Sequence, residues 1–82
     1  MILVDVVFPE LDRIIDFQLD DEARGWDIAE EIATMAARSF SRRYEADKSS
    51  LMLYSMDTRR PLDLNYSLKE NGVHSGERLL FV

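Results

Sequence analysis

The 82-residue sequence has no cysteine, one histidine, three glycines and two prolines. The missing thiols exclude disulfides, thiolate zinc sites, iron–sulfur clusters and a cysteine nucleophile together. A His-rich metal site or a Ser-His-Asp triad would have to rest on His74 alone. Its neighbours Val73 and Ser75-Gly76 place it in a turn, where a solvated imidazole is expected. Glycine loops that cradle phosphates, dinucleotide turns and the Gly-x-Ser-x-Gly elbow are all missing. Positive charge is scarce too. Ten Lys and Arg face 16 Asp and Glu, for a formal charge of −6 and a pI near 4.6. This balance disfavours nucleic acid and anionic membrane surfaces, both of which select a basic face. No apolar run approaches the roughly 20 residues that cross a bilayer. Met1 to Val4 follows no positive segment and is interrupted by Asp5, unlike a signal peptide. No catalytic residue, metal or cofactor is therefore expected, nor nucleic-acid binding or direct membrane insertion. The expected location is the cytoplasm.

What is present is globular composition: 46% apolar and 32% charged residues. The length fits one domain, residues 1–82, with a small core. Ile2 to Phe8 is apolar everywhere except Asp5, which predicts a central strand. Pro9-Glu10-Leu11-Asp12 breaks it, and Arg13 to Leu19 alternates, with Ile15, Phe17 and Leu19 on one side. A β-hairpin follows from the short break. Asp20, Asp21 and Glu22 then read as negative charge at a helix N-terminus.

From about Trp26 to Tyr44 the period becomes helical. Ile28, Ala29, Ile32, Ala33, Ala36 and Phe40 share one arc, opposite Asp27, Glu31, Thr34, Arg38 and Ser41. Ala46 to Ser50 reads as a loop, Leu51 to Met56 as a short strand and Asp57 to Arg60 as a turn. Pro61-Leu62 opens another short extended piece. Ser67 and Glu70 have capping-box spacing, Asn71-Gly72 and Ser75-Gly76 are turns, and Arg78 to Val82 is a closing strand. One long amphipathic helix needs one sheet to bury its arc, so the fold class is two-layer α+β. Hairpin, helix, short strands and final strand follow the β-grasp order, with a mixed four- to five-stranded sheet on the helix.

Two candidate sites dissolve on inspection. Asp20, Glu22, Gly25 and Glu31 have the first, third, sixth and twelfth positions of a calcium loop. Arg24 places a cation where an oxygen ligand belongs, and Asp27 takes the usual apolar eighth position. Glu30 and Glu31 are helix neighbours pointing apart, so they form no paired-carboxylate site. A carboxylate hydrolase would also need a cleft of about 300 Å³ or more, for which so short a chain offers little room. The basic doublets Arg42-Arg43 and Arg59-Arg60 read as a solvated helix end and a solvated turn.

The informative feature is apolar residues on both faces of the strands. If Val4 and Val6 face the helix, Leu3 and Val7 face away; if Leu79 and Phe81 face in, Leu80 and Val82 face out. The third strand offers either Leu51 and Leu53 or Met52, Tyr54 and Met56 to that outer side. An apolar patch there predicts an interface with a protein partner.

In pattern the chain resembles ubiquitin. Ser67-Leu68-Lys69-Glu70-Asn71-Gly72-Val73 precedes Leu79-Leu80-Phe81-Val82 at the spacing of ubiquitin's short turn and last strand. Ile15, Phe17, Leu19, Ile28 and Ile32 match its second strand and helix core. Ubiquitin and its sulfur-carrier relatives act through a Gly-Gly tail, whereas this sequence ends at Val82, so conjugation is not expected. Lysine acceptors are also few, with only Lys48 and Lys69.

The segment Leu68-x-x-x-Gly72-Val73-x-x-Gly76-x-Arg78-Leu79 further resembles the YukD/EsaB family of small bacterial ubiquitin-like proteins, with Glu77 where that family has aspartate. The family implies a cytoplasmic, non-catalytic accessory of type VII (WXG-substrate) secretion. Its partner would be a membrane or cytoplasmic component of that machine, and the same domain type occurs fused to such membrane components. Leu3, Tyr54, Leu80 and Val82 are the expected partner-binding residues. The alternative is a β-grasp module of another bacterial assembly that homodimerises through the same patch.

Overall fold

The computed structural model describes residues 1–39 and 52–82. Strand β1 (Ile2–Phe8) buries Val4, Val6 and Phe8 and leaves Leu3, Asp5 and Val7 toward the other face. A 3₁₀ turn at Pro9–Leu11 ends it, because Pro9 has no N–H to continue the ladder. Asp12 closes this turn in the left-handed region (φ 50°), and its N–H donates to the Pro9 carbonyl at 3.3 Å. Strand β2 (Arg13–Leu19) then runs antiparallel to β1, in register from Ile2 opposite Leu19 to Phe8 opposite Arg13. The hairpin stands as its residue pattern predicts.

Helix α1 spans Gly25–Ser39, with Ile28, Ala29, Ile32 and Ala36 buried and Asp27, Glu31, Thr34 and Arg38 exposed. Its beginning corrects the expectation drawn from Asp20-Asp21-Glu22. Those acids lie upstream of the first turn and do not cap it. Asp20 Oδ1 accepts the Glu22 N–H at 3.0 Å in a local turn, while the Asp21 carboxylate meets the Met1 ammonium at 3.1 Å. That ammonium holds the Asp21 carboxyl below its ordinary range. The first helical N–H groups are instead satisfied from far along the chain. Gly25 N–H donates to the Tyr66 carbonyl and Trp26 N–H to the Leu64 carbonyl, both at 2.9 Å. Phe40, Ser41, the Arg42-Arg43 doublet, the predicted helix end at Tyr44, the 46–50 loop with Lys48, and Leu51 lie outside the described residues.

The remaining strands are short: β3 (Leu53–Ser55), β4 (Arg60–Pro61) and β5 (Arg78–Phe81). The third strand is thus shorter than the span to Met56, although its flanks still pair. Met52 exchanges bonds with Val82 at 3.0 and 3.1 Å, and Met56 N–H donates to the Arg78 carbonyl at 3.0 Å. The five-stranded sheet has the order β2-β1-β5-β3-β4, with β1 and β5 parallel and the other pairs antiparallel.

One core lies between this sheet and α1, joining Val4, Val6, Phe8, Phe17, Leu19, Leu53, Leu79 and Phe81 to Ile28, Ile32 and Ala36. Phe8 stands at its centre, with ring centroids 5.5 Å from Phe81 and 6.3 Å from Phe17 in tilted arrangements. Leu64, Leu68 and Val73 close the end nearest the helix start. The Ser67–Glu70 capping box forms reciprocally. Glu70 Oε1 accepts the Ser67 N–H, and Ser67 Oγ accepts the Glu70 N–H, both at 3.0 Å. Asn71 ties this turn to Asp63, accepting the Asp63 N–H at 2.9 Å and donating to the Asp63 carbonyl at 3.0 Å.

Gly25 has a packing role that its sequence context does not reveal. A Cβ there would sit 2.7 Å from Leu64 Cα and 2.9 Å from the Leu64 and Tyr66 carbonyl oxygens. Ala for Gly ordinarily favours a helix by up to about 1 kcal/mol. Here the backbone clash wins, and Gly25→Ala is expected to lose about 1–3 kcal/mol. Urea denaturation measures this; a stabilised variant would show that the 64–66 segment yields without cost.

Candidate functional site

On the side of the sheet away from α1, register builds a continuous apolar row. Val7 lies opposite Ile14 on β2 and Leu80 on β5, Leu80 opposite Tyr54 on β3, and Tyr54 opposite Pro61 on β4. Five side chains from five strands thus stand abreast, Ile14-Val7-Leu80-Tyr54-Pro61. With neighbouring strands about 4.8 Å apart, the row is about 19 Å long. Met52 and Val82 pair one step beyond it and are 41% and 46% exposed. Ile14 is 55% exposed, whereas Val7, Leu80 and Tyr54 are half-buried.

The open question of which side of β3 faces out has a definite answer. Leu53 and Ser55 are buried toward the helix, and Met52, Tyr54 and Met56 face away. Leu53 must lie inward because it pairs with the core residue Phe81.

Among the four residues expected to bind a partner, three come together. Tyr54 and Leu80 are direct cross-strand neighbours, and Val82 is the next outward residue of the β5 line. Leu3 is placed differently. It lies opposite Gln18, beyond a charged row formed by Asp16, Asp5 and Arg78. Its backbone is engaged by the 75–76 turn: Leu3 N–H donates to Ser75 Oγ at 3.1 Å, and its carbonyl accepts the Gly76 N–H at 2.7 Å. Ile14 and Pro61 join the patch although neither is in the expected set. Ile14 carried a signal, as an apolar residue on the polar side of an alternating strand. Pro61 carried none, because its place depends on pairing with Tyr54.

The charged row is unbalanced. Asp5 and Asp16 are directly opposite one another, and Arg78 Nη2 lies 3.7 Å from Asp5 Oδ2 on the far side. Like charges directly opposite on a sheet repel. Asp5 raises the Asp16 pKa, both as hydrogen-bond partner of the protonated carboxyl and as a neighbouring negative charge.

Other chemistry is sparse. Among the described residues no group of three or more His, Cys, Asp or Glu could hold a metal ion. The described helix is not long and apolar enough to cross a membrane. His74 is exposed in its turn, with its backbone N–H donating to Glu77 Oε2 at 2.8 Å. Arg59 and Arg60 are exposed beside Pro61. Surface depressions lie along the solvent side of α1 and beside β4, both open rather than enclosed.

Comparison with solved structures agrees with this architecture. The EccD5 ubiquitin-like domain from Mycobacterium xenopi superposes with a TM-score of 0.76 at 24% identity, over 99% of this chain and 91% of that one. A chain of the MycP5-free ESX-5 inner membrane complex gives 0.77 at 22% identity, this chain spanning 20% of its length. Caldiarchaeum subterraneum ubiquitin gives 0.72 at 12% identity, over 98% and 89%. No protein-family model matches the sequence, and no curated protein matches it. At these identities the likeness shows the fold: ubiquitin-like α+β, one helix on a five-stranded mixed sheet.

Two outcomes test this geometry. Leu79→Ala should cost about 2–5 kcal/mol as a core truncation, whereas Leu80→Ala should cost about 1 kcal/mol or less. Equal losses by urea denaturation would put Leu80 in the core. The second outcome concerns pH. A raised folded pKa means that the folded protein binds this proton more tightly than the unfolded chain does. The Asp16 contribution is therefore full below its ordinary 3.8 and lost as pH rises through the folded value. Asp16→Asn should be more stable than wild type at pH 7, with the difference fading below about pH 4. A constant difference across that range would contradict the Asp5–Asp16 repulsion.

Proposed function

We propose that this chain is a non-catalytic ubiquitin-like interaction module, an accessory of type VII secretion of the YukD/EsaB kind. It works in the cytoplasm by contact with a protein component of that machine, through the outer face of the sheet. The observation that carries this reading is the row Ile14-Val7-Leu80-Tyr54-Pro61, apolar on every strand of a face that adds nothing to the core. Outward apolar side chains are common singly, but a row crossing a whole sheet is the pattern of an interface. Met and Tyr, which border and occupy the row, are favoured in such interfaces.

The secretion assignment draws on two supports. The Leu68-to-Leu79 segment resembles the YukD/EsaB family, and similar structures include the EccD5 ubiquitin-like domain and a chain of the ESX-5 inner membrane complex. A partner surface on a membrane complex would let a domain of this size work at the membrane without inserting into it.

Capture from native cytoplasm and membranes tests the proposal, with wild type and a folded Leu80→Asp/Val82→Asp double variant as baits. Wild type is expected to retrieve secretion-machine components that the double variant loses. Equal retrieval by both would move the site off the outer sheet face, with the Arg59-Arg60 doublet as the next candidate. Retrieval of nothing from that machine, together with unaffected secretion in a deletion strain, would remove the secretion reading.

A further inference from the structure

The outer face is not uniformly apolar, and its one charged row specifies what covers it. Across the sheet that row reads Asp16 on the edge strand β2, Asp5 on β1 and Arg78 on β5, followed by Met56 beside β3. The row holds two carboxylates and one guanidinium. Arg78 is spent on Asp5, from the side away from Asp16. The other neighbours of Asp16 on this face are Ile14 and Gln18 along its own strand and Val7 and Leu3 on the diagonals, none of them cationic. Among the described residues the ion pairs of this face leave Asp16 with a like charge opposite it and no cation beside it.

We propose that the outer face docks a protein surface whose apolar side chains lie along Ile14, Val7, Leu80 and Tyr54, and whose flank sets a Lys or Arg against Asp16. The two rows are about 7 Å apart, two residues along a strand. One partner side chain on the apolar row and a longer basic one beside it therefore span both. The cation supplies what the free domain lacks: it neutralises a carboxylate that Asp5 repels and Arg78 does not reach. The raised Asp16 pKa agrees with this local excess of negative charge. Charge also sets the orientation, because the acidic pair lies at the β2 end of the row and Pro61 at the β4 end.

A second copy of this chain fits less well. The same face on a copy offers Arg78, which is held by Asp5, and the net charge of −6 repels. The row is also short. A stable interface covers about 800 Å² on each partner, whereas a strip about 19 Å long and two rows deep presents a fraction of that. An acidic face on a small patch suits a basic partner that also contacts surrounding loops.

The inference rests on the reading of the outer face as the partner surface, so its test separates the two. A displayed library of random 12-residue peptides is selected on four folded domains: wild type, Asp16→Asn, Asp16→Lys and Leu80→Asp. Peptides enriched on wild type are expected to combine apolar residues with a Lys or Arg. Their binding should weaken about two- to fivefold on Asp16→Asn, the range of an exposed ion pair. It should weaken further on Asp16→Lys, and the wild-type advantage should shrink toward 1 M salt, where the Debye length is about 3 Å. Asp16→Lys should instead enrich acidic peptides, and Leu80→Asp should lose both kinds. Peptides that need Leu80 but ignore Asp16 would overturn the cation requirement and leave the face reading standing. Peptides indifferent to both positions, or no enrichment of basic sequences on wild type, would overturn the inference. Self-association in sedimentation abolished by Leu80→Asp would make the occupant a second copy and overturn it as well.

Discussion

The parallel pairing of β1 with β5 is the constraint on which the other features depend. It joins residues more than seventy positions apart and places both strands in the centre of the sheet. The loop before β5 helps to set it: Gly76, with φ 92°, donates its N–H to the Leu3 carbonyl at 2.7 Å, and Asp5 N–H donates to the Glu77 carbonyl at 3.1 Å. A slip of one residue there would exchange Leu79 with Leu80 and turn Phe81 away from Phe8. The same slip would dismantle the outer row, since Val7 opposite Leu80 is its middle link. Core and candidate site are therefore two readings of one register.

The helix is positioned by a second long-range device. Most helices satisfy their first N–H groups with a nearby Ser, Thr, Asp or Asn. Here the backbone carbonyls of Leu64 and Tyr66 do so, and Trp26 Nε1 adds a bond to Asn65 Oδ1 at 3.1 Å. Gly25 permits the approach because any Cβ would collide with Leu64. The 62–73 segment is in turn held by the Ser67–Glu70 box and by Asn71, and Lys69 N–H reaches the Asp21 carbonyl at 2.9 Å. This turn-rich stretch is thus a bracket between helix start and sheet.

These two devices explain what was legible in the sequence and what was not. Alternation along β1, β2 and β5 is local, because side chains in an extended chain take opposite faces whatever the partner strand is. Hence Val4, Val6, Phe17, Leu19, Leu79 and Phe81 are recognisable as core, and Leu80 and Val82 as outward. The capping box is local too. The helix start near Trp26 is legible from the period, but what satisfies its first N–H groups is not, because the carbonyls that do so lie some forty residues later. β3 is ambiguous in the sequence because Leu51 to Met56 is apolar on both alternations, Leu51 and Leu53 on one and Met52, Tyr54 and Met56 on the other. Only pairing with Phe81 decides it. In the candidate site, Leu80 and Val82 follow from alternation, whereas the outward side of Tyr54, the adjacency of the three, the inclusion of Ile14 and Pro61, and the separation of Leu3 all come from register.

A foldable sequence tends to satisfy every local preference at once, and departures concentrate where another requirement operates. The outer face departs twice. It exposes apolar side chains that add nothing to the core, and it sets Asp16 opposite Asp5 where a Lys or Thr on either strand would have supported the pair. Neither departure has a counterpart on the inner face, where among the described residues every buried side-chain polar atom has a partner. Nor does the fold impose them, because outward positions of β1 and β2 accept polar residues freely, as Gln18 shows. The two departures also sit side by side, the charged row one step from the apolar one. Stability alone would remove both; a partner that is apolar along one line and basic along the next accounts for both together.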